Sequence, residues 1–204
     1  LLVLLTDTSG VFTADPRLDA AASLIEEIRE VDAALEAVAG GAGTARGSGG
    51  MASKLVAARI AAWSGVRAVI AGAQEPDVVR RALTDGETVG TVVQPRAQRL
   101  SSRKLWIAFA LRASGRVFVD DGARRALVEQ GKSLLPAGVR EVEGSFQREN
   151  AVEVVDGAGR VFAKGLAGMD AITLRRVAGR RSADLPEGVP HEAVHRDDLV
   201  LLPD

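Results

Sequence analysis

The residues best suited to chemistry are Gly40-Gly41-Ala42-Gly43-Thr44-Ala45-Arg46-Gly47-Ser48-Gly49-Gly50. They run into Met51 to Ser64, where Met51, Leu55, Ala58 and Ala62 recur at helical spacing. Glycines let the backbone approach a phosphate closely, and a helix N-terminus aims free N–H groups and a partial positive charge at it. Lys54, one turn into the helix, adds a full charge. The segment is not a Walker A loop, because Lys54 does not directly follow a glycine of a G-x-x-x-x-G-K-[ST] pattern. A flexible loop before an amphipathic helix with a solvated lysine would read the same way, so the residues alone leave both readings open.

Thr6 and Asp7 end the apolar run Leu1 to Leu5, at the carboxyl end of an expected strand, which is the edge where open α/β sheets place ligands. A plain turn would also use these residue types. His191 and His195 stand four apart near Pro190, but neither an expected helix nor a third nearby ligand supports a metal site, and none is expected. Asp197-Asp198 reads as a turn or a partner for Arg196 rather than a catalytic pair. With no cysteine, disulfides, thiolate metal sites and cysteine nucleophiles are excluded, and a cytoplasmic location fits.

Elements must position these groups. Leu1 to Leu5 reads as a strand covered on both faces, too short to cross a bilayer and without the basic flank of a signal peptide. Leu24 to Ile28 is an expected short strand and Asp32 to Val38 a short helix. Val66 to Ala71 is an expected parallel strand, Pro76 opens a helix continued by Asp77 to Leu83, and Gly90 to Val93 is a final strand. This alternation implies an α/β domain over 1–95 with a mainly parallel sheet. Residues 96–104, polar and carrying four basic side chains, read as a linker.

Over 105–204 short strands are expected at Leu105 to Leu111, Arg116 to Val119, Arg140 to Gly144, Ala151 to Val155 and Val161 to Leu166. Helices are expected at Asp121 to Gln130 and Ala171 to Ala178, which makes this half a small, mostly β barrel. The 204 residues, 47% hydrophobic and 26% charged with mean hydropathy +0.09, suit two ordinary globular cores. Residues 1–95 hold 8 basic against 12 acidic residues, and 96–204 hold 18 against 15, mostly through Arg96, Arg99, Arg103 and Lys104. No broad basic face announces nucleic-acid binding.

Several stretches resemble glutamate 5-kinases. Leu4 to Arg17 is similar to that family's "LLTDvdGLYTADPR" segment, and Gly47-Ser48-Gly49-Gly50-Met51-Ala52-Ser53-Lys54 to its "GTGGMxTK" nucleotide loop. Arg99 to Ile107, Gly131 to Val139, Leu174 to Gly179 and Val194 to Leu199 continue the resemblance to the end of the chain. It implies part of an amino-acid-kinase fold followed by a PUA domain, with ATP and magnesium as cofactors and the γ-phosphoryl group passed to the side-chain carboxylate of L-glutamate, the first step of proline biosynthesis. By carry-over, Thr6 and Asp7 line the ATP site together with Ser48, Gly49, Gly50, Met51, Ala52, Ser53 and Lys54, and Lys54 is the catalytic residue.

Ser48 stands where the family usually has Thr, and Thr8-Ser9 where it usually has acidic residues. The glutamate-binding residues are expected upstream of Leu1, a homo-oligomer is expected, and RNA is a further partner that a PUA fold allows but the charge balance does not favour. The competing reading is a noncatalytic PUA-containing binding module with a remnant kinase half.

Overall fold

The computed structural model describes residues 1–32, 35, 50–84 and 88–203. The expected helix at Asp32 to Val38 and the glycine loop through Gly49 fall largely outside them. The chain divides into two compact units, Leu1–Ser101 with Pro203–Asp204, and Ser102–Leu202.

In the first unit, strands β1 (Leu2–Thr6) and β2 (Glu27–Ile28) precede helix α1 (Met51–Trp63), strand β3 (Ala68–Gly72), helix α2 (Val78–Leu83) and strand β4 (Thr91–Val93). The sheet order is β1-β3-β4-β2, parallel at β1–β3 and β2–β4 and antiparallel at β3–β4. Strand β3 is buried along its whole length, as a run of Ala, Val and Ile between two neighbouring strands should be. β1 differs from the expectation. It lies at the edge of this sheet, Leu2 to Leu4 are only half-buried and Leu5 is 44% exposed. An apolar run reports appetite for burial and says nothing about place in a sheet.

Helix α1 buries Leu55, Ala58, Ala61, Ala62 and Trp63 on one face. It ends in a Schellman motif: Gly65, at φ +77°, donates from its N–H to Ala62, and the next N–H, that of Val66, reaches back to Ala61. The turn through Ser64 to Arg67 then sends the chain into β3, so α1 runs antiparallel to the strand it feeds. α2 begins at Val78, later than expected, because Asp77 occupies the left-handed region at φ 52° and cannot be a helical residue.

The second unit opens with helix α3 (Ser102–Leu105) and a π-helical turn (Trp106–Ala110). It continues through β5 (Gly115–Val119), α4 (Asp121–Gln130), β6 (Val139–Gly144), β7 (Ala151–Val155), β8 (Val161–Ala167), α5 (Ala171–Val177) and β9 (Val194–Leu201). The five strands form a mixed sheet ordered β6-β5-β7-β8-β9, with register shifts after Phe118, Val154 and Gly165 that let it curve. Its core joins Val117, Val152, Val154, Phe162, Leu174 and Val194.

The helix at Asp121–Gln130 has its expected bounds, set by Asp120, whose carboxylate accepts from Ala123 N–H at 2.7 Å, and by Gly131 in the left-handed region. Leu105 to Leu111 corrects the expectation, being helical and not a strand. Lys164 of β8 donates to the carbonyls of Ala108, at 3.2 Å, and Leu111, satisfying acceptors that a helix end leaves open, while Ile107 is fully buried. Burial pushes the Lys164 ammonium below its ordinary value. Strand β9 is an addition to the expected elements, since Val194-His195-Arg196-Asp197-Asp198 lacks apolar alternation. It is held by pairing with β8.

Candidate functional site

In the first unit the parallel pair β1 and β3 place Thr6 opposite Gly72 at their carboxyl ends. Because α1 packs on the sheet and runs antiparallel to β3, its N-terminus, Gly50 and Met51, stands at that same edge. The topology therefore puts two stretches far apart in sequence, Thr6-Asp7 and Gly50 to Lys54, toward one edge of the sheet.

Thr6 is buried, its hydroxyl donates to Asp7 Oδ1 at 3.1 Å, and its carbonyl accepts from Ala73 N–H at 2.7 Å. Asp7 is exposed. Gly72 lets the chain segments at this edge approach: a Cβ there would stand 3.3 Å from the Thr8 carbonyl oxygen and 3.4 Å from Ser9 Cα. The loop that follows Asp7 is fastened from behind, since Val11 N–H donates to Thr91 Oγ1 at 2.8 Å and Thr91 is fully buried. Beyond it, Asp15 receives the Arg17 guanidinium at 2.8 Å, and these hydrogen bonds hold its carboxyl down at about 2.

At the start of α1, Gly50 is the N-cap and supplies no side chain to the first-turn N–H groups. Ser53 turns both its N–H, at 3.1 Å, and its hydroxyl, at 2.8 Å, back to the Gly50 carbonyl. The first turn holds no acidic residue. A helix start with no side-chain cap, no carboxylate in its first turn and a lysine one turn in is electrically suited to an anion. Met51, Ala52 and Lys54 are half-buried and Ser53 is exposed. Ser48 and Gly49 lie outside the described residues.

Gly72, Ala73 and Thr91 are not among the residues that the sequence singles out. Only Gly72 carries a signal, a glycine closing a buried apolar strand; the partnership of Thr91 with Val11 spans 80 residues and leaves no local trace. His195 lies in β9 of the second unit, its Nε2 3.7 Å from Glu192 and its Nδ1 3.6 Å from Asp197, while His191 precedes that strand. Among the described residues no three His, Asp or Glu side chains gather as a metal would need, and none of their helices is long and apolar enough to cross a membrane.

The sequence pattern of the Amino acid kinase family matches residues 1–72, and that of the PUA domain matches residues 115–189. The glutamate 5-kinase of Myxococcus xanthus is 47% identical over 205 residues, which cover 98% of this chain and 54% of the relative. That of Nitrosospira multiformis is 45% identical over 99% of this chain and 55% of its own length. The chain thus spans about half the length of the curated relatives it matches. Among solved structures, a PUA domain from Aeropyrum pernix K1 is 31% identical over 46% of this chain and 50% of its own, with a TM-score of 0.34. With family patterns at both ends and identity running through nearly the whole chain, it belongs with the glutamate 5-kinases, joining part of an amino acid kinase family domain to a PUA domain.

Proposed function

We propose that the protein carrying this chain transfers the γ-phosphoryl group of ATP to the side-chain carboxylate of L-glutamate, giving glutamyl 5-phosphate, the first step toward proline, in the cytoplasm. Residues 1–95 supply the ATP-binding half of the kinase domain, 96–104 a linker, and 105–204 the PUA domain. The observation that carries this reading is the uncapped, acid-free N-terminus of α1 standing at the carboxyl edge of β1 and β3. Thr6 and Asp7 border the nucleotide there, and the backbone from Ser48 to Ser53 receives its phosphates.

Phosphoryl transfer calls for positioning and charge stabilisation more than for covalent chemistry, and in this reading Lys54 meets negative charge as the γ-phosphoryl group moves. The residues present suit a triphosphate, offering N–H donors and a cation; magnesium, when bound with ATP, neutralises phosphate charge. The test is ADP release by the full-length protein with and without glutamate. Turnover should require glutamate and should fall by roughly a hundredfold in Lys54→Ala, the cost of removing one charge contact made in the transition state. Turnover unchanged by that substitution would remove Lys54 from the reaction.

A further inference from the structure

Three strand ends meet at the edge of the first sheet where Thr6 stands. Thr6 closes β1 opposite Gly72, the last residue of β3. Because β4 runs antiparallel to β3, its first residue, Thr91, pairs with Ile70 and so comes to the same edge. Thr91 is fully buried. Valine would fill the same space and suits a strand at least as well, so a buried hydroxyl at this position needs a use for its oxygen. That use is the N–H of Val11, which donates to Thr91 Oγ1 at 2.8 Å.

The contact is one of several that pin the chain just beyond Asp7. Val11 is buried, and its carbonyl is engaged too, accepting from Ile25 N–H at 2.8 Å. Gly10 lies flat on Thr91: a Cβ there would stand 2.7 Å from Thr91 Oγ1 and 2.8 Å from Leu24 Cδ1. The Gly10 carbonyl in turn accepts from the Thr8 hydroxyl at 2.9 Å. Asp7 is therefore an exposed residue in a stretch held at both ends, by β1 before it and by Thr91 four residues after it.

We propose, resting on the nucleotide reading above, that Thr91 is a positioning residue for ATP, acting through Val11 to hold the stretch from Asp7 to Val11 in its binding arrangement. It touches no reacting atom, so its loss has a particular signature. A site whose competent arrangement is only partly populated binds more weakly by that fraction, while saturating ligand restores the arrangement. The KM for ATP then rises and kcat stays, whereas a merely less stable protein loses active molecules and so shows a lower kcat at an unchanged KM.

The experiment measures, on the full-length protein, the Kd for ATP by calorimetry without glutamate and the KM for ATP by ADP release at saturating glutamate. Thr91→Val should raise both constants by about tenfold and leave kcat within about twofold. Thr91→Ser, which keeps the acceptor, should stay within about twofold of the parent throughout. Gly10→Ala pushes the loop off Thr91 from the other side and should act like Thr91→Val, so it decides the matter where the valine variant does not fold. Val93→Ala removes buried packing at the opposite end of β4, where Val93 pairs with Ala68, and should leave the KM for ATP unchanged. Parental ATP binding in Thr91→Val or Gly10→Ala, a lower kcat at an unchanged KM, a serine variant as weak as the valine one, or an equal rise in Val93→Ala would overturn the proposal. A parent that binds no ATP fails the nucleotide reading and this inference with it. A parent that binds ATP but releases no ADP with glutamate fails only the choice of acceptor, and the Kd values alone then decide on Thr91.

Discussion

Thr91→Val tests how the loop beyond β1 is held. Thr91 is fully buried and its hydroxyl is the acceptor for the N–H of Val11, itself 1% exposed. Valine matches threonine in shape, so no cavity opens; what changes is that a buried N–H loses its acceptor. Leaving such a donor unsatisfied costs about 1–3 kcal/mol. With a urea slope of about 2 kcal/mol per molar, a loss of 2 kcal/mol lowers the unfolding midpoint by about 1 M.

The assay is equilibrium urea unfolding of the full-length protein, read beside hydrogen exchange at the Val11 amide, which should quicken in the variant. Thr91→Ser keeps the acceptor and removes one methyl group, so it should cost about 1 kcal/mol and leave Val11 protected. A Thr91→Val protein within about 0.3 kcal/mol of the parent, or a serine variant less stable than the valine one, would refute the reasoning.

Further expectations concern other levels of the structure. Gly90→Ala should destabilise by about 3 kcal/mol or more, because a Cβ there would stand 2.2 Å from the Ile70 carbonyl oxygen at a φ of +65°; a thermal melt near that of the parent would contradict it. Asp156, 4% exposed, accepts from Ala158 and Arg160 N–H groups and faces the Arg160 guanidinium, and the Arg160 N–H foremost holds its carboxyl below the usual 3.8. A depressed carboxylate stabilises fully above its unfolded pKa and loses that contribution as pH falls through the folded one. The fall in stability below about pH 4 should therefore be shallower in Asp156→Asn than in the parent, measured by unfolding midpoint against pH. Hydrogen exchange should be slower in β7, paired on both edges and buried on both faces, than in β1, paired only with β3 among the described strands; equal protection would contradict that ranking.

Local chemistry explains what is legible in the amino-acid sequence by itself. Asp120 and Gly131 bound α4 because a cap acts on its own turn, and Ala151 to Val155 marks a strand because a short apolar, Val-rich run stops at the turn residues Asp156-Gly157. The glycine run ahead of Met51 points to an anion site for the same reason: helix ends carry their charge with them.

Tertiary structure alone decided the rest. Leu105 to Leu111 is as apolar as a strand, yet Lys164, more than fifty residues away, completes it as a helix. β9 is polar where it begins and exists because β8 offers it a ladder. Leu1 to Leu5 promises burial, but the sheet order puts it at an edge. Thr6 and Gly72 meet through parallel pairing across the α1 crossover, and Ser133 meets Arg196 through a hydrogen bond that spans 63 residues. Each of these depends on which segments become neighbours, a choice made by packing and pairing over the whole unit, whereas caps and periods are settled within a few residues of themselves.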